Sequence, residues 1–271
     1  MNNKIFVLTA VHNDLGDTKR LLESLFGQSF LEYEVFIVDD GSTDGTSKFI
    51  RKNYPQVNII KGGGDLWWTA SLNLGLKHIL RKAKNTDYVW IINNDCYFDK
   101  GLFQVLINYK NKTTGNKDII ASVVLDSKTK KVIDAGVVIN WNDMKFRPNG
   151  TDALSTRGTL FPVGVFKEVG LFDAKHFPHY FSDYEFTIRA KRYGYKLSVC
   201  GNCKIYNRSE RTGIGEIPKK LRVNDIFNLL FSKKSKINLG LQINMVRYVC
   251  PRKLRLKNYF LLASKIINGA R

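Results

Sequence analysis

EVFIVDDGSTDGTSKFIRKNY (34–54) contains, in order, an uninterrupted apolar run, a polar break and a helical pattern. The run Val35–Val38 is too short for a helix and apolar on both sides, which predicts a strand buried in the middle of a sheet. Asp39-Asp40-Gly41-Ser42 is turn chemistry, Thr43-Asp44 opens a helix, and Pro55 ends it. The same unit recurs on both sides. KIFVLTAV (4–11) precedes the helical TKRLLESLFGQ (18–28), VNII (57–60) precedes a helix over 66–83, and DYVWIINN (87–94) precedes one over 99–110. A βαβαβαβα series predicts parallel strands joined by right-handed crossovers.

After Thr113 the rhythm changes. IIASVVLD (119–126) and KVIDAGVVIN (131–140) read as an antiparallel pair, and the polar, turn-rich residues 141–158 read as a mobile loop. TLFPVGVFKEVGLFD (159–173) predicts a strand, a short helix and a turn; DYEFTIRAKRYGY (183–195) an amphipathic helix; KLSVCGNCKIYN (196–207) a strand or strand pair. Helical patterns at 217–232, 238–250 and 254–268 form a tail.

The tail is where the charge lies. Sixteen of the 43 basic residues but only three of the 24 acidic ones fall in 201–271, so +13 of the formal +19 belongs to that stretch. Such a concentration attracts an anionic partner: nucleic acid, a phosphorylated substrate or a membrane surface. PRKLRLKNYFLLASKII (251–267) interleaves Lys and Arg with Leu, Phe and Ile, which suits an interfacial helix on an anionic leaflet, although a solvated helical face explains the charge as well. No apolar run reaches the 18 residues of a membrane span, and the N-terminus enters a strand without a cleavage signal, so the expected location is cytoplasmic. Cys96, Cys200, Cys203 and Cys250 lack further ligands at zinc spacing and are expected to be free thiols.

Parallel sheets bind ligands at the carboxyl ends of their strands. Here those ends carry Thr9-Ala10-Val11-His12-Asn13, Asp39-Asp40-Gly41-Ser42, Lys61-Gly62-Gly63-Gly64-Asp65 and Asn93-Asn94-Asp95. Each is explained singly as a turn or cap, but two carboxylate sites on neighbouring ends point jointly to a ligand. Asp39 or Asp40 suits an acceptor for the imide N–H of uracil or thymine. Asp95 suits a divalent cation, Mg²⁺ or Mn²⁺, bridging a diphosphate. Gly62–Gly64 permits close backbone approach to a ligand, and neither GxxxxGK[ST] nor GxGxxG is present. Asp183 and Glu185 open a later helix, where the dipole favours acids; capping is one reading, and a general base for an acceptor hydroxyl is the other. A hydrolase would want two carboxyls flanking the bond, whereas direct displacement needs one base.

TAVHN (9–13), VDDGSTDGT (38–46), GGGDLWWTASLNLGL (62–76), WIINNDCYF (90–98), GLFD (170–173) and SDYEFTIRAKRYGY (182–195) resemble, in the right order, the landmarks of family-2 glycosyltransferases with the GT-A fold, over about residues 4–210. The resemblance implies a Rossmann-like, mostly parallel α/β sheet with flanking helices, a smaller antiparallel acceptor-side part and a helical C-terminal tail. It divides the chain into 1–213, with a nucleotide-sugar-binding half (1–113) and an acceptor half (114–213), and a basic extension, 214–271. It implies donor contacts by Thr9, Ala10, Asp39, Asp40, Gly64, Trp68, Asn93, Asn94 and Asp95, a metal on Asp95 with Asn207, and Asp183 as base. Trp67 and Glu185 are the acceptor-side candidates. Only one of the two tryptophans is expected to reach the sugar pocket, since consecutive helical residues do not share a face. Asn93 replaces the first acid of the family's DxD motif and Asn207 its metal-contacting histidine, which weakens the expected metal site. LWWTASLNLG (66–75) and NND (93–95) lean toward rhamnosyltransferase-like members and a dTDP-rhamnose donor, with a UDP-hexose as the alternative. An inverting enzyme of cell-surface polysaccharide assembly follows, peripheral at the inner face of the plasma membrane, acting on a saccharide that a polyprenyl diphosphate carries. The competing classes are a sugar nucleotidylyltransferase, whose basic phosphate loop TAVHNDLGD (9–17) lacks, and a non-catalytic basic protein binding nucleic acid or membrane.

Overall fold

The structure, a computed structural model, describes residues 3–28, 33–113, 115–207, 232, 235 and 238–269. The helix expected at 217–232 lies outside the described residues, apart from Ser232.

The parallel half forms as the apolar runs dictate. β1 (Ile5–Val11) is buried along its whole length and pairs in parallel with β2 (Tyr33–Asp39) and β4 (Tyr88–Ile91), while β2 carries β3 (Asn58–Lys61) on its far side. In register, Val11 faces Asp39 and Asp39 faces Lys61, so the polar segments after these strands emerge together. The order continues from β4 to β10 (Thr159–Pro162), β6 (Asp118–Asp126), β11 (Lys196–Asn207) and β5 (Cys96–Tyr97). β10 runs antiparallel to both neighbours, and β11 runs parallel to β6.

Helices cover both faces. On one side α1 (Leu15–Phe26) and α4 (Leu102–Lys112) bury Leu21, Leu22, Leu25 and Phe103 against Trp90 and Val7. On the other, α3 (Trp67–Leu80), α5 (Val163–Glu168) and α6 (Ser182–Arg192) place Leu72, Leu76, Phe166 and Phe186 against Leu8, Val38 and Phe161. α2 (Thr46–Asn53) contributes Ile50 to the first side.

Three expectations change. The segment 131–140 does not stay with β6: β7 (Val132–Asp134) pairs with it, then Gly136 turns the chain at positive φ and β8 (Val137–Asn140) pairs with β9 (Lys145–Pro148) in a separate two-stranded sheet. The expected mobile loop 141–158 therefore contains a strand, and its end, Ala153 to Thr156, is buried. Cys200 and Cys203 are joined as a disulfide across the irregularity in β11, against the expectation of four free thiols; Cys96 and Cys250 are free and buried.

The C-terminal helices pack on the small sheet and α6. α7 (Leu239–Asn244) runs into a π-helical turn (Met245–Val249), and α8 (Arg255–Gly269) follows a short 3₁₀ turn. Leu241, Met245 and Val249 bury against Phe177, each contributing roughly 2 kcal/mol of apolar transfer. Asn258 donates to the Trp141 carbonyl at 2.8 Å, and Arg192 donates to the Val249 carbonyl. Among the described residues no helix is long and apolar enough to cross a membrane.

Candidate active site

Two cavities open where the parallel strands end. The first, about 340 Å³, is lined by Ala10, Val11, His12, Asp14, Asp40 and Gly64, with Trp67, Trp68, Asn94 and His179 opposite. The second, about 580 Å³, is lined by Asn93, Asn94, Asp95, Asp134, Arg157, Asp183 and Tyr184 among others. Trp68, Asn94 and His179 line both.

In the first cavity the carboxylates of β2 brace backbone. Asp40 accepts from the N–H groups of Gly64 at 2.7 Å, Leu66 at 2.8 Å and Trp67 at 3.2 Å, and so holds the glycine turn and the start of α3. A Cβ on Gly62 would lie 2.6 Å from Asp40 Oδ1, so the close approach that this glycine permits is to Asp40 rather than to a ligand. Asp39 accepts from Ser42 N–H at 2.9 Å and from the Ser47 hydroxyl, is 4% exposed and does not line the cavity. Thr9 is fully buried and off the cavity wall, which Ala10, Val11 and His12 form instead.

Both tryptophans reach the first cavity, because Trp67 takes a left-handed backbone (φ 61°) at the mouth of α3 and so escapes helical geometry. Its indole N–H donates to Asp65 and its ring meets His179 edge-on at 5.7 Å. Trp67 thus stands with the expected donor residues, not in the cavity of Asp183. Trp68 donates to Thr156 Oγ1 at 3.2 Å and spans both cavities.

Asp183 lies in the first turn of α6, with Oδ1 accepting from the Tyr184 N–H at 2.9 Å. Burial pushes its carboxyl up to about 6; Asp134 adds to the rise, whereas Arg157 and the backbone N–H groups of Tyr184 and Thr156 oppose it. A carboxylate made more basic in this way, facing a cavity, is suited to take a proton near neutral pH. Glu185 has a different fate. Arg189 grips both its oxygens, at 2.7 and 2.9 Å, and donates onward to the carbonyls of Val169 and Leu171. Glu185 lines neither cavity, so the expected acceptor contact gives way to an i,i+4 ion pair.

Around Asp95 the donors are oxygen-rich and nearly neutral. The amide oxygens of Asn93 and Asn207 are buried with no hydrogen-bond partner, and Asn207, paired with Cys96 across β11 and β5, spends its N–H on the Cys96 sulfur at 3.3 Å. Among the described residues no three His, Cys, Asp or Glu side chains gather as a metal cluster. Asn207 is fully buried and lines neither cavity, whereas Asn93 and Asp95 share the wall of the second; one carboxylate with one orphaned amide oxygen on that wall fits a hard cation that takes its remaining ligands from phosphate and water. Asp134, Arg157 and His179 carry no signal in the sequence that singles them out, and Tyr184 lies within the motif string 182–195 without a role of its own. Asp134 and Arg157 sit in turn-like strings, VIDAG (132–136) and STRGT (155–159), where no periodicity marks them.

The sequence profile of Glycosyl transferase family 2 matches residues 6–211, which include both cavities' parallel-strand ends and α6. The chain belongs to glycosyl transferase family 2. An uncharacterized glycosyltransferase of Rickettsia typhi is 24% identical over 178 residues, 62% of this chain and 53% of that relative, and one of Mycoplasma genitalium is 27% identical over 117 residues, 40% and 38%, so the chain spans about half or less of the length of these curated relatives. Among solved structures, Staphylococcus aureus TarS 1-349 in complex with UDP-GlcNAc aligns with TM-score 0.55 and 17% identity over 97% of this chain and 71% of that one. The mannosyltransferase PcManGT from Pyrobaculum calidifontis, in complex with GDP-Man and Mn²⁺, aligns with TM-score 0.56 and 14% identity over 77% and 58%. At these identities the fold is what the structures share with the chain.

Proposed function

We propose that this family-2 chain moves a sugar from a nucleoside-diphosphate donor to a saccharide hydroxyl with inversion, with Asp183 as the base. The observation that carries the reading is the juxtaposition of two cavities, one at the ends of β1 and β2 and one containing Asp183, that share Trp68 and Asn94. The first accommodates the nucleoside, with Asp40 fixing the loop against which the base packs. The second accommodates the sugar and its acceptor. Asp183 takes the acceptor proton as that oxygen bonds to the anomeric carbon; the bond from this carbon to the β-phosphate oxygen breaks, and its electron pair stays on the diphosphate. Asp95, with the amide oxygen of Asn93, would hold Mg²⁺ or Mn²⁺, which when bound supplies Lewis-acid neutralisation of diphosphate charge. The TarS and PcManGT complexes, with UDP-GlcNAc and with GDP-Man and Mn²⁺, support a nucleotide-sugar donor by likeness of fold.

The finer donor reading is dTDP-rhamnose, with a UDP-hexose second. The proposed acceptor is a polyprenyl-diphosphate-linked saccharide at an anionic membrane, with the catalytic part ending near residue 213. Leu256 and Phe260 on α8, each 69% exposed and set beside Arg252, Lys253, Arg255 and Lys257, support the membrane contact, since apolar insertion and basic charge act together at such a surface. A thermal-shift panel of nucleotide sugars, with and without Mn²⁺, tests the donor: stabilisation by a nucleoside-diphosphate sugar is expected, and silence across the panel would overturn the reading.

A further inference from the structure

The cavity of Asp183 contains a cation that the mechanism above leaves unused. Arg157 lines it together with Asn93, Asn94, Asp95 and Asp134. Its place is built into the sheet. The next residue, Gly158, donates to the Ile91 carbonyl at 2.9 Å, at the end of β4 and two residues before Asn93, and its own carbonyl accepts from the backbone N–H and the hydroxyl of Ser122. Gly158 has φ +74°, and a Cβ there would lie 1.9 Å from Ile205, so only glycine lets the chain cross at this point. Leu154, Ser155 and Thr156 are buried ahead of it.

The guanidinium itself is held but unspent. Burial works against its charge, and neighbouring acidic groups, Asp134 first, more than offset that. Among the described residues, none of these carboxylates forms an ion pair with it and no protein acceptor takes its N–H groups. Arg189 and Arg192, by contrast, spend theirs on Glu185 and on backbone carbonyls. Arg157 is half-buried and lines the cavity with its donors unspent on protein, which leaves them for an anion that enters there.

We propose that Arg157 is a preformed receptor for the diphosphate of the donor, neutralising charge that Asn93 and Asn207, lacking a carboxylate or imidazole, leave to a weak metal site. This deepens the donor reading given above and rests on it. The fork of N–H groups matches two phosphate oxygens at once. As the bond from the anomeric carbon to the β-phosphate oxygen breaks and the electron pair passes to that oxygen, the guanidinium faces the added charge, while the acceptor proton goes to Asp183. No further reactant is needed. An acid at position 93 would bring a competing carboxylate to the same wall, so the asparagine and the arginine are consistent with each other.

The test is binding of UDP and dTDP, with uridine and thymidine as controls, by calorimetry in EDTA on the full chain and on Arg157→Gln and Arg157→Lys. The expected result is a loss of diphosphate affinity of roughly 10- to 100-fold in Arg157→Gln, with partial recovery in Arg157→Lys and with nucleoside affinity and melting temperature unchanged. Wild-type diphosphate affinity in folded Arg157→Gln would overturn the assignment of Arg157 while leaving the donor reading intact. Failure of wild type to bind any nucleoside or nucleotide, both in EDTA and with Mn²⁺ added, would instead overturn the donor reading, and this inference with it. Should Arg157→Gln not fold, Arg157→Lys decides: undiminished diphosphate affinity in a lysine, which lacks the fork, contradicts the proposal, and a selective loss supports it.

Discussion

Asp40 and Asp183 are the same residue type in two neighbouring cavities, and their surroundings give them opposite characters. Asp40 receives three backbone N–H groups and serves to fold the strand end, the glycine turn and the start of α3 into one piece. Asp183 accepts from the backbone N–H groups of Tyr184, at 2.9 Å, and Thr156, and its burial still raises its affinity for a proton. A carboxylate saturated by backbone donors is a brace; one enclosed with fewer donors, facing a cavity, is suited to act as a base. The first cavity is therefore built by main-chain geometry, and the second by side-chain electrostatics.

That contrast is open to direct attack. Asp183→Asn should lower transfer by roughly 10²- to 10⁴-fold while leaving nucleotide affinity within about twofold. Its stability should not suffer. The carboxyl holds its proton more tightly in the folded chain, so its contribution to stability is present below the ordinary carboxylate range and is lost as pH rises through about 6; an amide removes that loss, and the melting temperature at neutral pH should hold or rise. Asp40→Ala should do the reverse, costing about 3 kcal/mol of stability in a denaturant titration because buried N–H groups lose their acceptor. A stable Asp40→Ala protein that has lost only nucleotide binding would break the comparison from the other side.

Smaller effects sharpen it. Leu256→Glu with Phe260→Glu should reduce co-sedimentation with anionic liposomes roughly tenfold without changing transfer to a soluble acceptor. Undiminished binding would remove the membrane proposal and leave both cavities untouched. Asp134→Asn should move the acid limb of kcat/KM to lower pH, because Asp134 is a negative neighbour that raises the Asp183 carboxyl.

Much of this architecture is legible in the amino-acid sequence, for physical reasons that also mark the boundary. β1, β2 and β4 are buried on both faces, so their sequences are unbroken apolar runs, and the polar residues after them have to lie at one edge. Asp183 is legible because a string of motif residues opens its helix. Glu185 departs from its expected role, although its partner Arg189, four residues on, is readable from helical spacing. Arg157 and Asp134 are hidden for a different reason. Asp134 ends β7 and Arg157 sits in a turn, at positions that depend on long-range pairing, β10 between β4 and β6 and the departure of β8 from β7, and no local pattern encodes which cavity such a residue will line. The Cys200–Cys203 pairing is similar, since it follows from the irregularity in β11 rather than from spacing alone.

The central claim, that Asp183 is the base, is tested most directly by the pH dependence of kcat/KM in wild type and Asp183→Asn with the same donor and acceptor. The account predicts that wild-type activity falls below about pH 6, where the carboxyl is already protonated and too weak a base for the acceptor proton, and that the residual activity of the asparagine variant lacks this limb. An asparagine variant that keeps both the wild-type rate and the same acid limb would contradict it.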